Sequence, residues 1–320
     1  MKNLELYKRV YLIRRAEEAI IERYRDDGMK TPVHLSIGEE AICAGVCLGL
    51  ASDDQLVGTY RSHGIYLART LETDKFFAEL YGKVSGISRG KAGSMHLSNR
   101  EHGFLGSSAV VGTTIPVAAG AALSNKLRGE RRVVATFFGD GAIDEGVFFE
   151  TLNFAALKRL RVLFVCEDNG LAIHSPAIER HGYDNIARIV RQFRCDVYES
   201  ESTVAADIYD LTREALVTMR ETSRPAFMHL KYCRYKEHVG PGEDFQAGYR
   251  SKSEYEAWLE RDPVVVQRLL AVRETSRERV VDLEQRIDAQ IAQSITLAEQ
   301  ADFPAPGDLY THVLSPRVSA

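Results

Sequence analysis

Apolar side chains recur at helical spacing from the start of the chain. Leu6, Val10, Ile13, Ala16, Ile20 and Tyr24 fall three or four residues apart with charges between them, so residues 3–27 are expected to form an amphipathic helix that Asp27-Gly28 ends. A second helical stretch is expected over 38–50, then a short strand at QLVGTY and a short helix capped by Thr73. From 82 to 112 the periodicity lapses. Glycines stand at 82, 86, 90, 93, 103, 106 and 112, and a stretch this glycine-rich inside a domain is usually a functional or mobile loop.

The middle of the chain is the clearest. An Ala-rich helix over 115–127 precedes a buried-type strand at 132–138, a helix at 146–158 and a second buried strand at 162–166. Two continuous apolar runs joined by a helix predict a right-handed βαβ unit in a parallel sheet. A helix around 204–220 and a strand at FMHLKYC, 227–233, extend the alternation, and residues 263–300 are helical and charge-rich. The fold class expected is therefore α/β, a parallel sheet flanked by helices, read as one domain over 1–320 with an N-terminal helix and a helical C-terminal extension over about 251–320.

Composition removes several function classes. The 320 residues carry 41 Lys and Arg against 45 Asp and Glu, a net charge of −4, so no excess of positive charge points to nucleic acid or a membrane surface. The start, MKNLELYKRV, has charges where an export signal needs an apolar run, and no apolar stretch approaches the ~18 residues that span a bilayer. A cytoplasmic location is expected. Five cysteines without CxxC spacing read as buried thiols; Cys43 and Cys47, four apart on a helix, would suit two metal ligands, but core packing is the better reading because nothing nearby completes a set.

Two short motifs carry candidate chemistry. Gly139-Asp140-Gly141 follows the strand at 132–138, and Asp168-Asn169-Gly170 follows the strand at 162–166. If the strands are parallel neighbours, both turns lie at the carboxyl edge, where open α/β sheets bind ligands, and Asp140 and Asn169 face one crevice. A carboxylate and an amide oxygen are hard ligands suited to Mg²⁺, and glycines allow backbone to approach a diphosphate. Taken singly, both motifs are also ordinary turns.

The segment GDGAIDEGVFFETLNFAALKRLRVLFVCEDNG resembles the thiamine diphosphate fingerprint. In detail it is similar to the alpha subunit of the decarboxylating component of 2-oxo acid dehydrogenase complexes, of the pyruvate, branched-chain or acetoin type. LYKRVYLIRRAEEAI, HLSIGEEA, GTYRSHG, GKAGSMHL, VVGTTIPVAAGAAL, RYKEHVGPGEDF, RDPVVVQRLL and the terminal LYTHV agree with that family in order. The resemblance implies a thiamine diphosphate-binding fold with helical extensions at both ends. It implies Mg²⁺ on Asp140, Asn169 and the carbonyl of Leu171, and cofactor contacts from Tyr60, Arg61, Gly141, Ala142 and His238, with the backbone of Ala109 and Val111 along the aminopyrimidine ring. His238, His34 and His63 are the candidates for catalysis. Arg61 offers a bidentate fork to phosphate, and a histidine such as His238 is suited to binding phosphate as imidazolium or to moving a proton. Loops 171–185 and 234–250 are expected to be mobile until diphosphate orders them.

The chain also departs from that family. Asp168 stands where Asn is common, placing a charge beside the metal, and Ala109 stands where pyruvate-type members often have Gly, which narrows the pocket or shifts the loop. Val239 and Gly248 replace the regulatory phosphoserines of mammalian relatives, and CDVYESEST lacks the usual Asp-Gly-Asn-Asp. No glutamate for activating the aminopyrimidine is identifiable here; in the family it lies on a beta subunit. The resemblance therefore implies an alpha-2 beta-2 assembly that cleaves the C–C bond beside a carbonyl and passes the acyl unit to lipoamide on a lipoyl acyltransferase. Two other readings remain: a two-chain carboligase, decarboxylase or split transketolase-like enzyme without a lipoyl acceptor, and a non-catalytic scaffold.

Overall fold

The computed structural model describes residues 1–29, 31–311 and 313; His312 of the LYTHV match lies outside them. Six parallel strands form one sheet in the order β2-β1-β3-β4-β8-β7. In chain order these are β1 Gln55–Thr59, β2 Phe104–Ser108, β3 Val134–Gly139, β4 Val162–Asp168, β7 Asp196–Ser200 and β8 Ala226–Lys231; β5 Leu171–Ala172 and β6 Ser175–Pro176 make a small separate hairpin. The helices are α1 Lys2–Tyr24, α2 Glu40–Gly49, α3 His63–Thr70, α4 Asp74–Leu80, α5 Thr114–Leu127, α6 Gly146–Lys158, α7 Ala177–Arg180, α8 Ile186–Val190, α9 Ala205–Thr222, α10 Lys252–Leu259, α11 Pro263–Glu274 and α12 Arg277–Gln300.

Alternation along the central strands builds two cores. Ala135, Phe137, Leu163, Val165, Met228 and Leu230 face one layer, packed with residues of α1, α2, α9 and α12. Their neighbours Val134, Phe138, Val162, Phe164, Cys166 and Phe227 face the other, packed against α5, α6 and α8. Side chains on successive strand residues point to opposite faces, so a strand covered on both sides is apolar along most of its length, as β3 is apart from Thr136 and β4 is until Glu167 at its carboxyl end. Burying one such Phe contributes about 1.5–3 kcal/mol. The C-terminal helices return to the N-terminus: Tyr7 donates to Glu284 at 2.6 Å, and Arg14 reaches Glu40 at 2.6 Å and Asp262 at 2.9 Å.

Besides the β5/β6 hairpin, two strands of the main sheet fall where none was expected. β2 lies inside the glycine-rich stretch, and β7 lies inside CDVYESEST. Both are edge strands, half-covered and polar, so neither shows the apolar run that marked the centre. No helix among the described residues is long and apolar enough to cross a membrane. All five cysteines are free, four of them buried, as core thiols should be.

Candidate active site

Parallel pairing places the ends of β1, β3, β4 and β8 at one edge. Gly139 pairs with Glu167 and Asp168 with Lys231, so Asp140 and Asn169 emerge side by side from neighbouring strands. Beside them opens a cavity of about 290 Å³, whose lining includes Tyr60, Arg61, Val111, Gly141, Ala142, Asn169, Leu171 and His238. These sequence-derived candidates, as much as 178 residues apart in the chain, thus meet in one place.

Asp140 opens the short turn of helix over Asp140–Asp144 and is 3% exposed. Its Oδ2 accepts from Arg180, which also forks onto Asp144, while its Oδ1 is buried with no hydrogen-bond donor. Burial first, and Asp168 next, push the Asp140 carboxyl up to about 6, against the pull of Arg180. Asn169 accepts at Oδ1 from the Leu171 amide at 3.1 Å and donates from Nδ2 to the Tyr232 hydroxyl at 2.9 Å, which sets the amide oxygen toward the turn. A Cβ on Gly139 would meet nothing closer than the Glu167 carbonyl at 3.8 Å, whereas one on Gly141 would press within 2.9 Å of the Ala172 Cβ. Gly139 thus leaves room beside the cavity, and Gly141 is required by the approach of β5.

A buried carboxylate oxygen without a donor is costly unless a cation or ligand meets it. Asp140 and Asn169 present the hard oxygens that Mg²⁺ takes, and Leu171 follows Asn169 within the same turn, so the residues fit a Mg²⁺-diphosphate group.

Three rings converge across the cavity. The His34 and Tyr60 centroids are 4.5 Å apart, His34 and His238 5.2 Å, and Tyr60 and His238 5.5 Å. His34 is buried and its Nδ1 has no partner. Burial, followed by the charge of Arg61, pushes both imidazoles down to about 3. Both rings are therefore neutral at pH 7 until an anion offsets Arg61 and Arg234. Arg61 itself is engaged with backbone: it donates to the Leu35 carbonyl at 2.7 Å and the His238 carbonyl at 3.2 Å. It ties the His34 segment to the His238 loop while its charge faces the cavity.

His63 is placed elsewhere. It is fully buried at the start of α3, with Nδ1 3.1 Å from Glu17 and Nε2 2.6 Å from Ser94. Both nitrogens are occupied in the core and His63 is not among the cavity-lining residues; unlike the other two candidate catalytic histidines, it pins α3 to α1 and the glycine-rich segment. Ala109 is not among the residues lining the cavity, whereas Val111 is. Asp168 turns away from Asp140; its Oδ2 is 2.6 Å from His229 Nε2 and its Oδ1 accepts from the Gly170 amide at 2.8 Å. Burial raises its pKa, but His229 and the Gly170 amide outweigh that and leave it lowered.

Several site residues had no signal of their own in the sequence. Glu39 and Glu167 line the cavity, both buried, and their carboxylates lie within 4.8 Å of each other and of the Cys43 thiol. Burial holds both carboxyls above the ordinary range, Glu39 adding to the rise of Glu167 and Arg61 opposing it in each. Arg234 is buried beside the cavity, 3.3 Å from His238 Nδ1, and donates to Asp244 at 3.0 Å and Tyr249 at 3.0 Å. With Gly240 donating to Val33 at 2.8 Å, the 234–250 loop is tied down by the protein itself, as the 171–185 loop is by Arg180. The GEEA and CEDNG motifs contain the two glutamates, but nothing local shows that they meet.

The family model described as "Dehydrogenase E1 component" matches residues 8–307. The alpha subunit of acetoin:2,6-dichlorophenolindophenol oxidoreductase of Bacillus subtilis (strain 168) is 31% identical over 313 residues, 98% of this chain and 93% of that one. The pyruvate dehydrogenase E1 component subunit alpha of Porphyra purpurea is 32% identical over 325 residues, covering 98% and 93%. That of Zymomonas mobilis is 32% identical over 314 residues, covering 97% and 88%.

Proposed function

The chain belongs to the dehydrogenase E1 component family, and on that premise we propose that it holds thiamine diphosphate and Mg²⁺ at the edge of β3 and β4 and works as an alpha subunit with a beta subunit. The observation that carries this is the bare, buried Oδ1 of Asp140 next to Asn169, under a cavity lined with Arg61 and His238. Asp140, Asn169 and the Leu171 carbonyl would hold the metal. Gly141, Ala142, Tyr60, Arg61 and His238 would hold the diphosphate, with Ala109 and Val111 toward the aminopyrimidine. Bound thiamine diphosphate supplies the nucleophilic carbon and electron sink that cleavage beside a carbonyl needs.

The chain's own part is binding, orientation and charge. Arg61 places a fixed positive charge without free rotation, because two backbone carbonyls hold its guanidinium. His34 and His238 enter the site neutral; a phosphate arriving next to His238 raises its proton affinity, so anion binding and proton uptake are coupled there. The unpartnered Nδ1 of His34 is available to a substrate oxygen or a proton at the far side of the ring cluster. Around the mouth, Val110, Val111, Ile173, Ile178 and Val239 are exposed apolar side chains, and such a rim supports a second polypeptide covering the cavity.

The alpha-2 beta-2 stoichiometry, a cytoplasmic location and transfer of the acyl unit to lipoamide on a lipoyl acyltransferase are parts of the same proposal. Asp168 and Ala109, the departures that motivate a carboligase or decarboxylase without a lipoyl acceptor, are not among the cavity-lining residues, and Asp168 acts on the site through its charge on Asp140. The test is reconstitution: chain and beta subunit together, assayed for thiamine diphosphate content and for acyl-lipoyl product from pyruvate and from acetoin. Product only with both chains supports the proposal; full turnover by this chain alone, or a complex that retains no thiamine diphosphate, refutes it.

A further inference from the structure

We propose that Arg180 is a positioning residue for the metal-binding oxygen of Asp140, and that through it the 171–185 loop is built into the cation site. The inference rests on the reading of Asp140 as a metal ligand. Arg180 ends α7, and its side chain is 11% exposed. Its guanidinium is engaged on every edge: Nε donates to the Ser175 carbonyl at 3.1 Å, one terminal nitrogen to Asp144 and the other to Asp140. His181 meets the second oxygen of Asp144 at 2.8 Å. Asp144 is thus held at both oxygens. Asp140 is held at Oδ2 alone, and its Oδ1 is the buried oxygen that no donor reaches.

This asymmetry divides the Asp140 carboxylate into a held oxygen and an offered one. Among the described residues Arg180 is the one side-chain donor to Asp140, so it sets the rotation of the carboxylate and hence the direction of Oδ1. Charge supports positioning over competition. A guanidinium paired with Asp140 alone would neutralise it and repel a cation, but Arg180 lies between two carboxylates, and the three groups together retain one negative charge for the metal. Ligating carboxylates are commonly fixed in this way by a hydrogen-bonding partner outside the metal's own ligand set. Asp144 and Arg180 are 36 residues apart and neither belongs to the GDG or DNG motif.

The experiment uses the complex of this chain with its beta subunit, in wild-type, R180Q, R180K and D144N forms, with Mn²⁺ affinity read from the free-ion EPR signal in the presence of thiamine diphosphate. R180Q is expected to weaken Mn²⁺ binding about 10- to 100-fold, the range for loss of such a partner, with R180K recovering part of it. D144N leaves Arg180 uncompensated on Asp140 and is expected to weaken binding as well. In the same samples, Mn²⁺ and cofactor should protect the 171–185 loop from proteolysis in the wild type and not in R180Q, with R180K restoring part of the protection. Equal Mn²⁺ affinity in R180Q overturns the proposal, and tighter binding overturns it by making Arg180 a competitor. A wild-type complex that takes up no Mn²⁺ with thiamine diphosphate overturns the cofactor reading itself, and this inference with it.

Discussion

Asp140 and Asp168 end neighbouring parallel strands, belong to one residue type and are both largely buried, yet their chemistry is opposite. Both oxygens of Asp168 are satisfied, one by His229 and one by the Gly170 amide, and its carboxyl is held below the ordinary range. Asp140 has one oxygen on Arg180 and one bare, and its carboxyl is pushed up to about 6. Burial is common to the two; the partners differ. A buried carboxylate with complete partners stabilises the fold, and one with incomplete partners costs stability until a ligand meets it, which on the reading proposed above is a cation.

The largest effect that tests this contrast is on cation binding. Asp140→Asn should weaken Mn²⁺-dependent thiamine diphosphate retention by about 100-fold or more, at or beyond the upper end for loss of an outer partner. Asp168→Asn should change it less than about tenfold, the lower end of that range. Equilibrium dialysis of the two-chain complexes measures both, and equal losses would erase the distinction.

Stability should show the reverse order. Asp168→Asn removes a charged hydrogen bond to His229 and is expected to cost about 1.5–3 kcal/mol in urea unfolding, whereas Asp140→Asn in metal-free protein should cost little or stabilise. His63→Gln, which breaks the buried pair with Glu17, should cost about 1–3 kcal/mol while leaving cofactor affinity intact. Loss of affinity there would return His63 to the site.

The pH dependence should separate the two carboxylates further. With its folded pKa raised, metal-free Asp140 binds a proton in the native state that the unfolded chain has released, so its contribution to stability falls as pH rises from about 4 to about 6. Asp168, lowered in the fold, gives stability that is present above the ordinary Asp pKa and lost as pH falls through its folded value. His34 and His238, pushed down to about 3, bind protons in the unfolded chain first, so their contribution is lost as pH falls from about 6.5 toward 3. Urea midpoints of wild type, Asp140→Asn and His34→Asn across pH 4 to 7 resolve these slopes.

The smallest expected effect is mutual. Asp168 raises the pKa of Asp140, so Asp168→Asn should shift the Asp140 transition to lower pH, by under about one unit for a single charge turned away from it. NMR titration of the Asp140 carboxyl reads this, and an upward shift would contradict the geometry.

The sequence by itself determined the parts whose cause is local. Continuous apolar runs separated by one helix dictate a buried parallel pair, and parallel pairing brings GDG and DNG to one edge, so Asp140 and Asn169 were legible from spacing alone. The apolar, four-residue period of α1 and the long C-terminal helix were legible for the same reason. Edge strands β2 and β7 were not, because a half-exposed strand has no continuous apolar run. Tertiary structure alone decided which way each polar group turns. His63 and His34 look alike in sequence, and one is locked into the core between Glu17 and Ser94 while the other joins Tyr60 and His238 at the cavity. Arg180 reaches Asp140 across 40 residues, and Glu39 reaches Glu167 across 128. Periodicity fixes which residues leave the strands at the edge; only the packing of distant segments fixes which partner each buried charge finds, and that partner decides whether it holds the fold or holds a ligand.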